Sequence, residues 1–285
     1  GSWACASNHS AGPIPGTVSP RMGEEGSVVS LTLHEVPLSE EFDTIELDTF
    51  SDLHVGDPLF NRDLFFERRE WVLEKPNRFV ILNGDLMNVA TKRSVSDVYE
   101  DTLTPAEQLR WCKKELYPIR DRILSITNGN HEDRIKRETS IDVVGELAEY
   151  LGIRDRHFPN GVLLKLCFGR KRNQKRAVYT IYHTHGRGGG ALQGGKVLRM
   201  ARMANVVLAD IYIMSHTHFK VAFKEGIYVP DLYNNNVRFV EQTFLNSSAN
   251  LHWGGYAQVQ GYKPGAQGSP VTRLYADPKR VEVTL

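Results

Sequence analysis

The sequence predicts an α/β fold, and two regularities predict it. Short apolar runs rich in β-branched residues alternate with stretches whose apolar positions recur at helical spacing. Five of the apolar runs end in polar clusters: Asp52 and His54, Asp85, Asn130 and His131, His183 and His185, and His216 and His218. In open α/β sheets, sites form outside the C-terminal ends of strands, so fold class and polar clusters point the same way.

Taken in order, residues 1–26 are rich in Gly, Pro and Ser and lack sustained periodicity, which reads as an N-terminal arm ahead of a single domain over residues 27–285. The Gly1-Ser2 pair reads as a cloning remnant. Strands are expected over Ser27–Val36 and Asp43–His54, then a helix over Asn61–Lys75 that Pro76 ends. A buried strand, Arg78–Asp85, follows. Thr104-Pro105-Ala106-Glu107 is a capping box with proline at the first helical position, opening a helix to about Leu116.

Ile123–His131 (ILSITNGNH) reads as a strand delivering a polar turn, and helices follow between Asp133 and Leu151, with Ser140 as the expected cap of the second. GVLLKLCFG and RAVYTIYHTHG form an expected hairpin around the basic tip Arg170, Lys171, Arg172, Lys175 and Arg176. A Gly-rich turn, a helix over Lys196–Ala204 and the strand Ile211–His218 come next. Further strands are expected near Arg238–Leu245, Val271–Tyr275 and Arg280–Leu285.

Composition excludes several functions. The 285 residues are 41% apolar and 24% charged, which is ordinary for a globular chain, and the net charge of +1 provides no global attraction to nucleic acid or an anionic membrane. No apolar run approaches the roughly 18–20 residues of a membrane span. Cys5, Cys112 and Cys167 are widely spaced and contain no CxxC pair, so neither a disulfide framework nor a thiolate metal site is indicated, and a cytoplasmic setting is expected. The five clusters mix carboxylates, an amide and imidazoles. Such oxygen and nitrogen donors suit manganese, iron or zinc better than calcium or magnesium.

In order, DLH at Asp52–His54, GDLMN at Gly84–Asn88, GNHE at Gly129–Glu132, HG at His185–Gly186 and SHTH at Ser215–His218 resemble the five blocks of the calcineurin-like metallophosphoesterases, over about Thr49–Phe219. The resemblance implies a central β-sandwich of two mixed sheets flanked by α-helices and a site for two divalent metal ions, manganese first, with iron, zinc or nickel as alternatives. It implies that Asp52, His54 and His218 hold one ion and that Asn130, His185 and His216 hold the other. Asp85 would bridge them. A hydroxide shared by the ions would attack phosphorus while His131, the catalytic residue, protonates the leaving group.

In that family the fourth ligand precedes Gly, which favours His185 over His183. His183, two positions away on an expected strand, is left as a supporting or substrate contact. Asn88 and Arg187 are further candidates for such contacts, and Asp57, Asn61 and Glu132 read as solvated turn residues. Ser215 stands where the family usually has Gly.

The implied activity is phosphoester hydrolysis, with a phosphodiesterase favoured. The alternatives are a nuclease acting on DNA or RNA, a phosphomonoesterase, or a non-catalytic scaffold of the same fold. The expected partner is a phosphate ester; the basic tip reads first as a solvated hairpin turn and second as a contact to the phosphates of nucleic acid, and no membrane and no obligate protein partner are indicated. GALQGGKV from Gly190 nearly matches a phosphate-binding loop but has Val197 where a hydroxyl would be needed. Trp253, Tyr256 and Tyr262 cluster among glycines and could stack on a base or pack a sheet edge.

Overall fold

The alternation of apolar runs builds two mixed sheets packed face to face. The computed structural model describes residues 31–91, 100–170, 175–188 and 192–285, with the side chain of residue 256 excepted. From Leu31 on the chain forms one compact unit. The expected N-terminal arm, residues 1–26, and the start of the first expected strand lie outside the described residues.

The first sheet has the order β1 (Leu33–Pro37), β5 (Val162–Phe168), β6 (Ala177–His183), β7 (Ile211–Met214), β9 (Asn236–Asn246), β8 (Val221–Asp231). The second has the order β11 (Arg280–Thr284), β10 (Val271–Tyr275), β2 (Thr44–Phe50), β3 (Arg78–Asn83), β4 (Ile123–Thr127). β2, β3 and β4 are parallel, as are β6, β7 and β9, so both parallel groups bring their C-terminal ends to polar turns.

Strand period decides what each face meets. On β3, Phe79 and Ile81 point into the core between the sheets with Ile45, Leu47, Leu164, Ile181 and Ile213. Val80 and Leu82 point the other way, onto a second core closed by Phe65 and Val72 of α1 (Arg62–Glu74), Cys112 and Leu116 of α2 (Pro105–Leu116), and Val144 and Leu147 of α4 (Val143–Tyr150). Burial on both faces explains why RFVILN is apolar throughout rather than alternating. α5 (Gln193–Ala201) covers the outer face of the first sheet, where Met200 packs with Tyr212, Met214 and Phe244. The expected sandwich flanked by helices is therefore present.

Several boundaries differ from expectation. β2, β3 and β7 stop at Phe50, Asn83 and Met214, so their polar clusters belong to loops. Ser140 does not cap α4; it ends α3 (Asn130–Thr139) in the left-handed conformation, φ 62°, and Asp142 accepts the cap bond from the Gly145 amide at 2.9 Å. The Thr104 capping box forms through its glutamate half, with the Thr104 amide donating to Glu107 at 2.9 Å and the hydroxyl also donating to that carboxylate. β8 was not expected; Gly226 and Pro230 inside it hide the strand pattern. α6 (Gly255–Val259) is a further short element in the aromatic, glycine-rich stretch.

Candidate metal centre

Five loops at strand ends converge on one place. After β2 and β3 the chain keeps pairing: the Asp52 amide donates to Gly84 O at 3.0 Å and the His54 amide to Asp85 O at 3.1 Å. The turns are tight enough to force strain. Among the described residues, eight non-glycine residues have φ in the left-handed region, and five of them are Asp52, His54, Asp85, His216 and His218, at φ 47° to 67°. Such conformations cost of order 1–3 kcal/mol each and persist where the surroundings impose them.

The donors fall into overlapping groups. Asp52, His54 and His218 place ligand atoms within 4.8 Å of one another, as do Asp85, His185 and His216. A third group, His54, Asp85 and His131, links the two. Asp52 Oδ1 lies 3.1 Å from His218 Nε2, which lies 3.3 Å from His54 Nε2. On the other side, His185 Nε2 is 3.1 Å from Asp85 Oδ2 and 3.3 Å from Asn130 Oδ1. Imidazole nitrogens aimed at each other and at carboxylates, without a thiolate, form a donor set that fits divalent cations.

Hydrogen bonds aim the rings. His185 Nδ1 donates to the Asn83 carbonyl at 2.7 Å, which leaves Nε2 facing Asp85. His131 Nδ1 donates to the Asn88 carbonyl at 2.7 Å, so its Nε2, 3.9 Å from Asp85 Oδ2, is the edge turned to the site. Asn88 is itself held by Asp101 at 2.6 Å.

Charge follows packing. Burial alone would raise the Asp52 carboxyl, but His218 and His185 outweigh it and hold it at about 2. Asp85 is likewise buried, and His185 and His131 hold it well below the usual carboxylate range. Burial, reinforced by His131, keeps His54 neutral with a pKa of about 3. His185 runs the other way: burial would lower it, but Asp85 and Asp52 raise it to about 10.

The structure separates the two histidines of the fourth block. His185 joins the cluster, whereas His183 is fully buried behind it, bonded to Ser125 Oγ at 2.7 Å and Asn83 Oδ1 at 2.9 Å. Both ring nitrogens of His183 are thus taken up by the fold. Arg187 also stays outside, with a side chain 84% exposed and 4.0 Å from Asp133.

Glu132, read as a solvated turn residue, is buried and accepts the amides of Asp85 (3.0 Å), Met87 (3.0 Å) and Gly129 (2.9 Å). Its signal in the sequence is the spacing Gly129-x-x-Glu132, which puts a carboxylate at the third position of α3. Asn61 caps α1 through the Leu64 amide at 3.0 Å, and Asp57 accepts the Leu59 amide at 2.8 Å.

Two further residues escaped sequence reasoning. Asn83, wholly buried, donates to Ser215 Oγ at 2.7 Å and the Thr184 carbonyl at 3.0 Å, and accepts from Thr127 and His183. Ser215, the departure from Gly in the fifth block, has a role here: its hydroxyl joins Asn83 to Ser247 at 2.8 Å. Gly129 is required by space, since a Cβ there would come 2.0 Å from Asp85 Oδ1.

Of the basic tip, Arg170 binds Glu40 and Arg176 donates to the Leu38 and Cys167 carbonyls, so both arginines fasten the hairpin to neighbouring chain. Lys171 and Arg172 lie outside the described residues, as do Gly190 and Ala191 of the glycine-rich loop. Lys196 donates to the Thr217 carbonyl at 2.7 Å. Trp253 Nε1 donates to Tyr262 O at 2.8 Å, closing the aromatic stretch on itself.

No protein-family model and no curated protein matches the chain. Solved structures do align with it, among them two at 13% identity. One is Vacuolar Protein Sorting 29 from Cryptosporidium parvum, covering 85% of this chain and 96% of that one at a TM-score of 0.38. The other, a conserved uncharacterized protein of Streptococcus pneumoniae TIGR4 described as a predicted phosphoesterase, covers 85% and 98% at a TM-score of 0.36.

Proposed function

We propose that the chain is a phosphoesterase working with two divalent cations and that its substrates are phosphodiesters. One observation carries the reading: the residues singled out from five separate motifs meet as two donor triads linked through Asp85, five of them on strained left-handed backbone. A scaffold without turnover would not need the full donor set. Asp52, His54 and His218 would hold one cation, and Asn130, His185 and His216 the other, with Asp85 shared. When bound, the cations would acidify a water and offset the charge that builds on the phosphoryl oxygens.

The protein's own contribution is orientation and proton delivery. Asn83 and Asn88 carbonyls fix the His185 and His131 rings, and Glu132 gathers three amides so that the Asp85 and Gly129 turns stay together. With Nδ1 committed to Asn88, His131 gains and releases its second proton at Nε2, toward the leaving oxygen. The preference for a diester, which bears one negative charge, rests on the nearby cations: Lys196 is engaged at Thr217 O and Arg187 faces solvent, so neither is placed for a dianionic monoester.

With manganese added, the protein is expected to cleave bis-p-nitrophenyl phosphate faster than p-nitrophenyl phosphate. Asp85→Asn should lower that rate by about 100-fold or more, beyond what loss of a supporting contact alone costs. His131→Ala should slow poor leaving groups more than good ones with metal content intact. Undiminished activity in Asp85→Asn, or metal loss in His131→Ala, would overturn these assignments.

A further inference from the structure

The hairpin of β8 and β9 outruns the sheet it faces. At its base it belongs to the sandwich: Ala222 and Leu245 pack with the core between the sheets, and Lys224 Nζ reaches the Val281 carbonyl of β11 at 2.7 Å. Strand alternation places Gly226, Tyr228 and Pro230 on that same face, opposite Glu241, Phe239 and Val237. The inner face of the first sheet therefore continues past the part that β11 reaches.

There it is uncovered. Tyr228 is 72% exposed, Phe239 62% and Val237 55%, and the turn adds Leu232 at 86% and Tyr233, which is fully exposed. The surface is ordered by its own packing: the Tyr228 and Phe239 rings meet edge-on at 5.5 Å, and Phe239 lies over Gly226, where a Cβ would come 2.2 Å from the ring. Aromatic side chains each offer about 150–250 Å² when whole, so at these exposures Tyr228, Phe239 and Tyr233 present on the order of 350–600 Å² between them. That alone is the size of the largest patch on an ordinary monomer, roughly 300–600 Å² and often functional, and Val237 and Leu232 extend it toward the roughly 800 Å² that one partner contributes to a standard interface.

Charge narrows the occupant. The charged residues on this face, Lys224 and Glu241, pair with each other at 2.7 Å, so it offers no field to a polyanion or to a basic or acidic partner. A surface that is apolar, aromatic and internally neutralised is complementary to itself. β8 is the edge strand, but Pro230 lacks the N–H that strand addition would use there, which favours the face over the edge.

We propose that this face docks a second copy of the chain, the two hairpins packing face to face about a two-fold axis and extending the sandwich where β11 no longer covers it. The test is sedimentation velocity of the full chain over about 1–100 μM, the weak end of the range that interfaces of this area span. A concentration-dependent dimer is expected. Tyr228→Glu combined with Phe239→Lys, an opposite-charge pair across the strands, should be monomeric at every concentration with the far-ultraviolet circular dichroism of the folded parent, while Tyr228→Phe should dimerise as the parent does. A parent chain that stays monomeric throughout, or a double variant that dimerises equally well, would overturn the proposal.

Discussion

His183 and His185 are two residues apart and chemically opposite, because a strand ends between them. β6 holds His183 inside the sandwich, where both ring nitrogens are satisfied by neutral partners, Ser125 and Asn83, and burial lowers its pKa to about 3. His185, past the strand end, faces two carboxylates. The fold therefore binds His183 in its neutral form, whereas an unfolded histidine titrates near 6.5. Its contribution to stability is complete above pH 6.5 and is lost as pH falls from there toward 3, at up to about 1.4 kcal/mol per pH unit. His54 acts in the same direction, whereas Glu132, raised to about 7 by burial and Asp85, and His185, raised to about 10, act oppositely. The decline is therefore read as the difference between the parent and His183→Gln in urea denaturation of the metal-free protein at pH 7.5, 5.5 and 4.5. His183→Gln should be less stable at pH 7.5 but lose about one proton's worth of the pH slope. An unchanged slope in that variant would mean that His183 is charged in the fold.

At the scale of the element, α1 matters less for the core it covers than for the arginine on its inner side. Arg68 has a side chain only 11% exposed; it grips Asp48 through Nε at 3.0 Å and Nη2 at 2.7 Å, and binds Asn250 Oδ1 at 3.0 Å. The Asn250 amide in turn holds the Asp52 carbonyl at 2.9 Å, so the helix braces the loop that carries a candidate ligand. Arg68→Leu would leave Asp48 buried without its cation, held only by the Thr49 amide and the Ser269 hydroxyl, a loss of up to about 3–5 kcal/mol. The variant should melt roughly 10 °C lower, and titration calorimetry should show weaker manganese binding although no ligand has changed. Parental melting and parental affinity together would show that the network is dispensable. The helix itself was legible from Phe65, Trp71, Val72 and Pro76. Arg68 was not, because a charged residue on a helix reads as a solvated position until its tertiary partner is known. Ser140 failed because serine is a favoured N-cap type and glycine the usual left-handed helix end, so its residue type pointed to the wrong helix while Asp142, two residues on, supplied the cap. β8 was hidden by Gly226 and Pro230, which are tolerated because it lies at a sheet edge.

For the whole molecule, the site was more legible than the frame around it, since each candidate ligand lies within a few residues of an apolar run while its supports lie far away in sequence. Asn83 unites Thr127, Thr184, His183 and Ser215 across both sheets, and no local pattern announces it. The same geometry makes the centre a joint between the sheets: Asp52, His54, Asp85 and Asn130 follow strands of the second sheet, and His185, His216 and His218 follow strands of the first. A cation bound there would oppose separation of the sheets, and it would be bound only by the folded form. At a free concentration about 100 times its dissociation constant, such a ligand stabilises by about 2.7 kcal/mol, which for a chain of this size is a rise of roughly 5–10 °C in melting temperature. Chelator-treated protein should show that rise on addition of manganese, and Asp85→Asn, lacking the shared carboxylate, should not. Hydrogen exchange distinguishes a joint from a local clip: manganese should slow exchange together in the loops after β2, β3 and β4 and in those after β6 and β7. Protection confined to one sheet's loops would mean that neither cation is held as assigned, because each ligand set draws on loops of both sheets.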